Sequence, residues 1–560
     1  MQARVWINEI EFSDGTQIVL NENDIIVFVG PNNAGKSASL KEIASSLRVN
    51  NKQGKVIKDI KISKQGNESA FIAFLNNFQK EYNSNPLPSY KGLGFNLYES
   101  NAISWWNNSN QGLSDLSNAF SNSLTTEQRL TAANPPNNIR LVSEAPQHPI
   151  HFLQKHDTLE KTFSDYFRQA FGMDLIVHRN AGNEVPLYVG QRPVMQTGED
   201  RLSESYQDKL EKLDLLHKQG DGMRSFVGVL LNAFTSNYNI LFIDEPEAFL
   251  HPPQAKLLGK MLAKDIPSER QLFLATHSED FLKGLLDANA SNLKIIRIER
   301  HDAINRVSHL DNSDIKEIWS DSFLRHSNTL NGLFHTKVVI CESDSDSRFY
   351  SALLDAKYDN TDLITPDLLF INCGGKHRIP TIITSLMKLN VPIRIITDFD
   401  VLDNKNPLQF IYEKLGGNWE EIKSDWKIVK ESIDTKRPEL ETKELKDEVD
   451  KIFSSTTEKI FPKEKIKLIE NQLKKASAWS HAKESGRSFI PNGDAIKAYE
   501  RLLTKVKSKG LFIVEIGEAE SFVKSVGNHG PKWVNEVLSK ELKNDPELEP
   551  ARKFIEEVIK

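Results

Sequence analysis

Residues 24–47 constrain the fold of this chain more than any other stretch. Asp24-Ile-Ile-Val-Phe-Val29 reads as a buried strand. It runs into a loop from Gly30 to Ser37 that matches G-x-x-x-x-G-K-S, with Gly30, Gly35, Lys36 and Ser37 at the fixed positions and Asn32 and Asn33 between them. Leu40, Ile43, Ala44 and Leu47 then recur at helical spacing. Strand, glycine-rich loop and helix together form a cradle for a nucleotide phosphate. The glycines let backbone N–H groups converge on phosphate oxygens, and the helix start adds partial positive charge. Lys36 is expected to reach the outer phosphates and Ser37 to ligate Mg²⁺, with Gly30, Asn32, Asn33 and Gly35 lining the nucleotide.

A chain of 560 residues suggests two to four domains. Its formal net charge of -6 gives no global signal for nucleic acid, although a local basic groove is compatible with it. The two cysteines, Cys341 and Cys373, lack metal-ligand spacing. They argue against a disulfide scaffold or a zinc site and suit a reducing cytoplasm. The first residues lack the apolar core of a signal peptide, and no run of about 18 apolar residues occurs, so a cytoplasmic protein without a membrane span is expected.

The nucleotide reading requires a second piece downstream. Tyr238-Asn-Ile-Leu-Phe-Ile243 reads as a strand ending in Asp244-Glu245-Pro246. Asp244 would hold Mg²⁺ through water, and Glu245 would orient or deprotonate the attacking water. Gln271–Thr276 reads as a further strand ending at His277, which can sense the γ-phosphate. These residues resemble the ABC-type ATPases, in the branch shared by chromosome-maintenance and DNA-repair proteins. The resemblance implies two heads that sandwich ATP between the P-loop of one and a signature turn of the other. The candidate signature is Gln219–Ser225, with Gly222 and Ser225 as its contacts. It departs from L-S-G-G-Q, and an ordinary helix start is the alternative. The stretch Asn76–Asn138 is rich in Asn, Ser and Pro and reads as an insertion, with Trp105 and Trp106 packed rather than stacking on bases.

A second set of acids follows. Lys337–Cys341 reads as a strand ending in Glu342, with Asp344 and Asp346 in the next turn. Leu368–Cys373 leads to Gly374-Gly375-Lys376, and Ile393–Thr397 runs into Asp398-Phe399-Asp400. Acids at the C-terminal edge of a parallel sheet converge in one crevice. Carboxylates crowded in this way call for cations, and oxygen ligands without Cys or His point to Mg²⁺ or Mn²⁺. Asp also caps turns, which is the plain alternative for any single one of these acids.

This arrangement resembles the Toprim domain of topoisomerases, primases and some nucleases. An ABC head followed by a Toprim domain resembles the OLD (overcoming lysogenization defect) family, which includes the Gabija nuclease and the OLD-type effectors of some retrons. The resemblance implies metal-dependent DNA cleavage in phage defence. It implies Glu342, Asp398 and Asp400 as catalytic metal ligands, and Asp346 as a further ligand one methylene shorter than the family's usual glutamate. A late Gly-x-x-Glu element after Leu511–Ile516 implies Glu518 and Glu520 at a second metal. A late lysine against the developing charge implies Lys532, with Lys524 as its rival.

The expected architecture is α/β. Residues 1–320 would form an ABC-type ATPase domain, with an insertion or dimerisation region at about 70–200. Residues 335–560 would form a Toprim nuclease domain, with a helical insertion at about 405–505. The expected function is an ATP-regulated DNA endonuclease acting on double-stranded DNA as a homodimer or larger homo-oligomer. Two alternatives are a DNA-binding switch with a silent Toprim domain, and a toxic effector controlled by a helicase-like protein or by a reverse transcriptase with its RNA.

Overall fold

The computed structural model describes the chain apart from residues 1, 50–53, 82–87, 109–111, 143, 236, 303, 311, 323–324, 326–327, 376–377, 437–441 and 475–477. Lys376 therefore lies outside the described residues. The chain divides into two compact units, Met1–Ser322 and Phe323–Lys560.

In the first unit, β1 (Ile25–Val29) is buried at every position. It feeds α1 (Lys36–Arg48), which turns Leu40, Ile43 and Leu47 inward. The remaining core elements are β2 (Ser121–Leu124), α2 (Asp221–Thr235), β3 (Ile240–Asp244), α3 (Pro252–Asp265), β4 (Gln271–Ala275), α4 (Glu279–Asp287), β5 (Leu293–His301) and β6 (Ile304–Leu310). They build one six-stranded sheet in the order β6-β5-β1-β4-β3-β2. All neighbours are parallel except β5 and β6. The unbroken apolar runs of β1, β3 and β4 follow from this, because a parallel strand is covered on both faces. β1 and β3 flank β4, with Ala275 opposite both Phe28 and Asp244, so the phosphate loop and Asp244 leave the same edge.

Part of the span 70–200 belongs to the central core, whereas Asp174–Val177 and Leu187–Gly190 pair in a separate small sheet with its own apolar cluster. Ser121–Leu124 pairs with β3 as the edge strand of the central sheet. Phe71, Trp106 and Phe120 join the same core as Ile240, Phe242 and Phe273. Trp106 stacks on Phe71 with centroids 4.6 Å apart, so this tryptophan is a packing residue. The Asn- and Ser-rich composition concealed the strand because S-N-S-L has a single buried apolar position, Leu124.

The second unit is a four-stranded parallel sheet. Its strands are β7 (Lys337–Cys341), β8 (Leu368–Asn372), β9 (Ile393–Thr397) and β10 (Leu511–Ile513), in the order β8-β7-β9-β10. Helix α5 (Asp344–Tyr358) follows β7 and packs Phe349 and Leu353 into a core with Val339, Ile396, Phe512 and Trp533. Among the described residues, six α-helices lie between β9 and β10. One of them, Thr442–Ser454, buries no residue, as its dense mixture of Lys and Glu leads one to expect. Another is α6 (Ala478–Ser485). Beyond β10 lies α7 (Gly530–Val537). No helix among the described residues is long and apolar enough to cross a membrane.

Two glycines let α3 and α4 approach closely. A Cβ on Gly259 would meet the Phe281 carbonyl oxygen at 2.3 Å, and one on Gly284 would meet the Lys256 carbonyl oxygen at 2.0 Å. Neither backbone oxygen can yield without separating the helices. Gly284→Ala is therefore expected to destabilise the ATPase unit by about 1–3 kcal/mol despite alanine's better helix propensity. Thermal and denaturant unfolding compared with wild type checks this, and an unchanged or raised midpoint contradicts the close approach.

Candidate functional sites

The nucleotide-type site lies at the C-terminal edge of the first sheet. Gly30 (φ +143°) passes so close to β5 that a Cβ would meet the Ile298 carbonyl oxygen at 2.1 Å. Asn32 and Asn33 sit exposed at the loop tip, with Asn33 at φ +61°. Lys36 is buried, and its Nζ donates to the carbonyl oxygens of Gly30 and Pro31, both at 2.7 Å. Ser37 Oγ donates to Asp244 Oδ1 at 2.8 Å across 207 residues of sequence. Glu245 takes a left-handed conformation (φ +48°), and its N–H donates to the Ala275 carbonyl at 2.8 Å. His277 Nε2 lies 3.3 Å from Glu245 Oε1. Burial, aided by the nearby Lys36 ammonium, lowers the His277 pKa below its ordinary value.

Two further residues order this edge and carry no motif signal. Glu247 accepts from Thr276 Oγ1 at 2.6 Å and from the His277 N–H at 3.0 Å, which ties the His277 turn to the Asp244 turn. Burial raises its pKa. Arg129, fully buried, donates to the Asp244 carbonyl and, at 3.1 Å, to Thr126 Oγ1. It belongs to the stretch read as an insertion.

The signature turn opens α2. Gly222 has a packing role within its own chain, since a Cβ there would meet the Phe249 carbonyl oxygen at 2.8 Å. Ser225 is fully buried, and its hydroxyl has no hydrogen-bond partner among the described residues. Its side chain thus points into the unit rather than toward a nucleotide at the surface. The helical period puts a fifth-position residue on the core face.

In the second unit, parallel register brings the acids together. Ile340 of β7 pairs with Ile395 of β9, and Ile395 with Leu511 of β10. Glu342 Oε1 accepts the Asp398 N–H at 3.0 Å. One carboxylate oxygen from each of Glu342, Asp398 and Asp400 lies within 4.8 Å of the others. Glu518, Glu520 and His529 form a second such group. Burial, reinforced by Asp398 and Asp400, pushes the Glu342 carboxyl up to about 8. Burial pushes Asp398 up to about 6, against the pull of Lys483. Glu518 is also raised, by burial and then by Glu520.

Asp346 belongs to neither group among the described residues. Its Oδ2 accepts the Ser343 N–H at 2.9 Å and its own N–H donates to Ser343 Oγ, a reciprocal cap on α5. Its short side chain is held at the helix start. Tyr350, one turn further along α5, is fully buried, and its hydroxyl has no hydrogen-bond partner among the described residues although it lies within electrostatic reach of Asp346, Asp398 and Glu520. A crevice of hard oxygen donors with raised carboxyl pKa values and a spare buried hydroxyl fits a hydrated Mg²⁺ or Mn²⁺ ion.

The lysine in this crevice is not the one expected. Lys532 and Lys524 are exposed, and neither forms an ion pair with a described residue. Lys483 of α6 instead places its Nζ 2.9 Å from Asp398 Oδ2 and 3.7 Å from Glu518 Oε2. Burial works against its charge, but Asp398 and Asp400 outweigh this and raise its pKa above the ordinary value.

Comparison with known proteins agrees with this division. Residues 25–282 match a family profile described as an AAA domain. Residues 333–400 match the "Overcoming lysogenization defect protein-like, TOPRIM domain" profile. A P-loop ATPase unit followed by a Toprim unit defines the class: the first unit carries the AAA-type profile and the second the OLD-like Toprim profile. The chain is 25% identical over 170 residues to the Old nuclease of Escherichia phage P2, a match that covers 30% of this chain and 28% of that protein. Among solved structures, it is similar to an SMC head bound to the C-winged helix domain of ScpA, at 14% identity over 55% of this chain and 98% of that one, with a TM-score of 0.34. An SMC head domain from Thermotoga maritima follows, at 13% identity over 56% of this chain and 100% of that one, with a TM-score of 0.29.

The raised carboxyls make stability depend on pH. Glu342 holds its proton up to about 8 when folded and releases it near its ordinary 4.5 when unfolded. The folded state binds more protons between those values, so its advantage is complete below pH 4.5 and is lost as pH rises toward 8. In EDTA, the midpoint of the Toprim unit should therefore fall between pH 5 and 8, while Glu342→Gln shows a flatter slope. Thermal melts across this range check the expectation, and equal slopes contradict it.

Proposed function

We propose that this protein is an ATP-regulated, divalent-metal-dependent DNA endonuclease of OLD type that acts in anti-phage defence in the cytoplasm. The observation that carries the reading is the convergence of Glu342, Asp398 and Asp400 at adjacent strand ends of a Toprim sheet. The partial match to the Old nuclease supports a nucleic-acid substrate. Glu342, Asp398 and Asp400 would hold one Mg²⁺ or Mn²⁺ ion, and Glu518 and Glu520 a second. Such ions, when bound, activate water and neutralise charge on the leaving 3′-oxygen. The protein's part is to hold them in a partly dry crevice and to admit a DNA duplex.

At the other site, Lys36 would exchange the Gly30 and Pro31 carbonyls for the outer phosphates of ATP. Ser37 and Asp244, already hydrogen-bonded, would share the nucleotide's Mg²⁺. Glu245 and His277 would face the attacking water. A second copy of the chain would bring the Gly220–Gly222 turn to this nucleotide, so that ATP pairs the heads and regulates access to the acids. In a defence system, a helicase-like protein or a reverse transcriptase with its RNA would set when cleavage begins.

Plasmid cleavage with Mg²⁺ or Mn²⁺ tests the nuclease reading. Asp400→Ala should lower the rate by about 10²-fold or more while ATP binding is retained. Full cleavage by that variant overturns the assignment. Lys36→Ala should weaken ATP binding, whereas Glu245→Gln should bind ATP and hydrolyse it slowly. Equal hydrolysis rates for wild type and Glu245→Gln would move the water-handling role to another residue.

A further inference from the structure

Lys483 joins the two groups of acids. Its ammonium contacts Asp398 of the first group at 2.9 Å and Glu518 of the second at 3.7 Å. It comes from neither strand end but from α6, in the helical segment between β9 and β10. Its backbone is fixed against the turn that carries Glu518. Gly517 stands at φ +118°, and a Cβ there would meet the Lys483 carbonyl oxygen at 2.0 Å. Gly486, three residues on, is equally tight, with the Glu515 carbonyl oxygen 2.2 Å from where its Cβ would lie. The Gly517 carbonyl in turn accepts the Phe399 N–H at 2.7 Å, inside the Asp398–Asp400 turn. The lysine is therefore built into the crevice, with its side chain 35% exposed.

We infer that Lys483 is a resident cation of the acid crevice, bridging Asp398 and Glu518, and that a divalent ion must displace its ammonium to use those two carboxylates. The inference rests on the proposed metal-binding role of these acids. Its electrostatic logic is direct. A lysine ammonium neutralises one charge, whereas a divalent ion neutralises two and draws several oxygens into close coordination. While the ammonium stays, it repels the ion, holds a hydrogen bond on Asp398 and lies in ion-pair range of Glu518. Removing it leaves a crevice of greater negative charge that binds metal more tightly and holds together less well without metal.

Mn²⁺ binding to the full-length protein, measured by calorimetry and by electron paramagnetic resonance of free Mn²⁺, tests this without reference to cleavage. Lys483→Gln and Lys483→Met are compared with wild type, with Asp400→Asn as the control for the metal reading. The two Lys483 variants should bind Mn²⁺ about tenfold more tightly or better, the scale of one unit charge acting on a divalent ion at contact distance in a solvated crevice. They should also gain more in melting temperature on Mn²⁺ addition than wild type gains. Lys483→Gln keeps a neutral hydrogen-bond donor on that side chain, so it serves if Lys483→Met does not fold in EDTA. Unchanged or weaker Mn²⁺ binding by the folded variants overturns the inference. If Asp400→Asn and wild type bind Mn²⁺ equally, the metal assignment itself has failed, which is a different result.

Discussion

Parallel strand register determines which residues meet in both units. A parallel sheet sends every strand out of the same edge, so residues far apart in sequence emerge side by side. In the first unit this brings Ser37 within hydrogen-bonding distance of Asp244, and His277 within reach of Glu245. In the second it brings Glu342 against the backbone of Asp398. A slip of one residue would turn each of these side chains to the other face of its sheet. The apolar runs that enforce the register are thus as necessary to the sites as the polar residues at their ends.

The two edges meet opposite electrostatic demands. The nucleotide-type edge presents glycine N–H groups, a helix start and Lys36, an arrangement suited to an anion. Lys36 meanwhile rests on carbonyl oxygens of its own loop. The Toprim edge concentrates carboxylates, and the cost of their burial shows in the raised pKa values of Glu342, Asp398 and Glu518. Lys483 offsets part of that cost. Both edges thus hold a lysine on oxygen partners, Lys36 buried and Lys483 half-buried, and in each the exchange of those partners for a ligand is the chemically significant event.

Much of this was legible in the sequence because the motif residues stand at strand ends. G-x-x-x-x-G-K-S, Asp244-Glu245, His277, Glu342 and Asp398-Phe399-Asp400 each follow an apolar run, and the run itself announces a parallel strand. The residues that were not legible lack that mark. Glu247 lies two positions past the visible motif and acts through a buried side chain. Ser121–Leu124 reads as loop because its neighbours are polar. Asp346 was visible as an acid, but its cap on α5 depends on the orientation of a helix start.

The sequence by itself determined the α/β class, the order of an ATPase unit before a Toprim unit, and the strand ends at which acids and phosphate-binding residues stand. These follow from local composition and from hydrophobic period, which act over a few residues. Tertiary structure decided which cation enters the acid crevice, which way Ser225 points and what supports Asp244 from below. Lys483 looks like any lysine on a solvated helix until Gly517 packs against its backbone, and Arg129 looks like surface charge until Gly228 lets α2 close over its carbonyl, 2.0 Å from where a Cβ would stand. Contacts of this kind join segments 34 and 99 residues apart in sequence, and no local pattern records them because the energy that selects them exists only once both surfaces are folded.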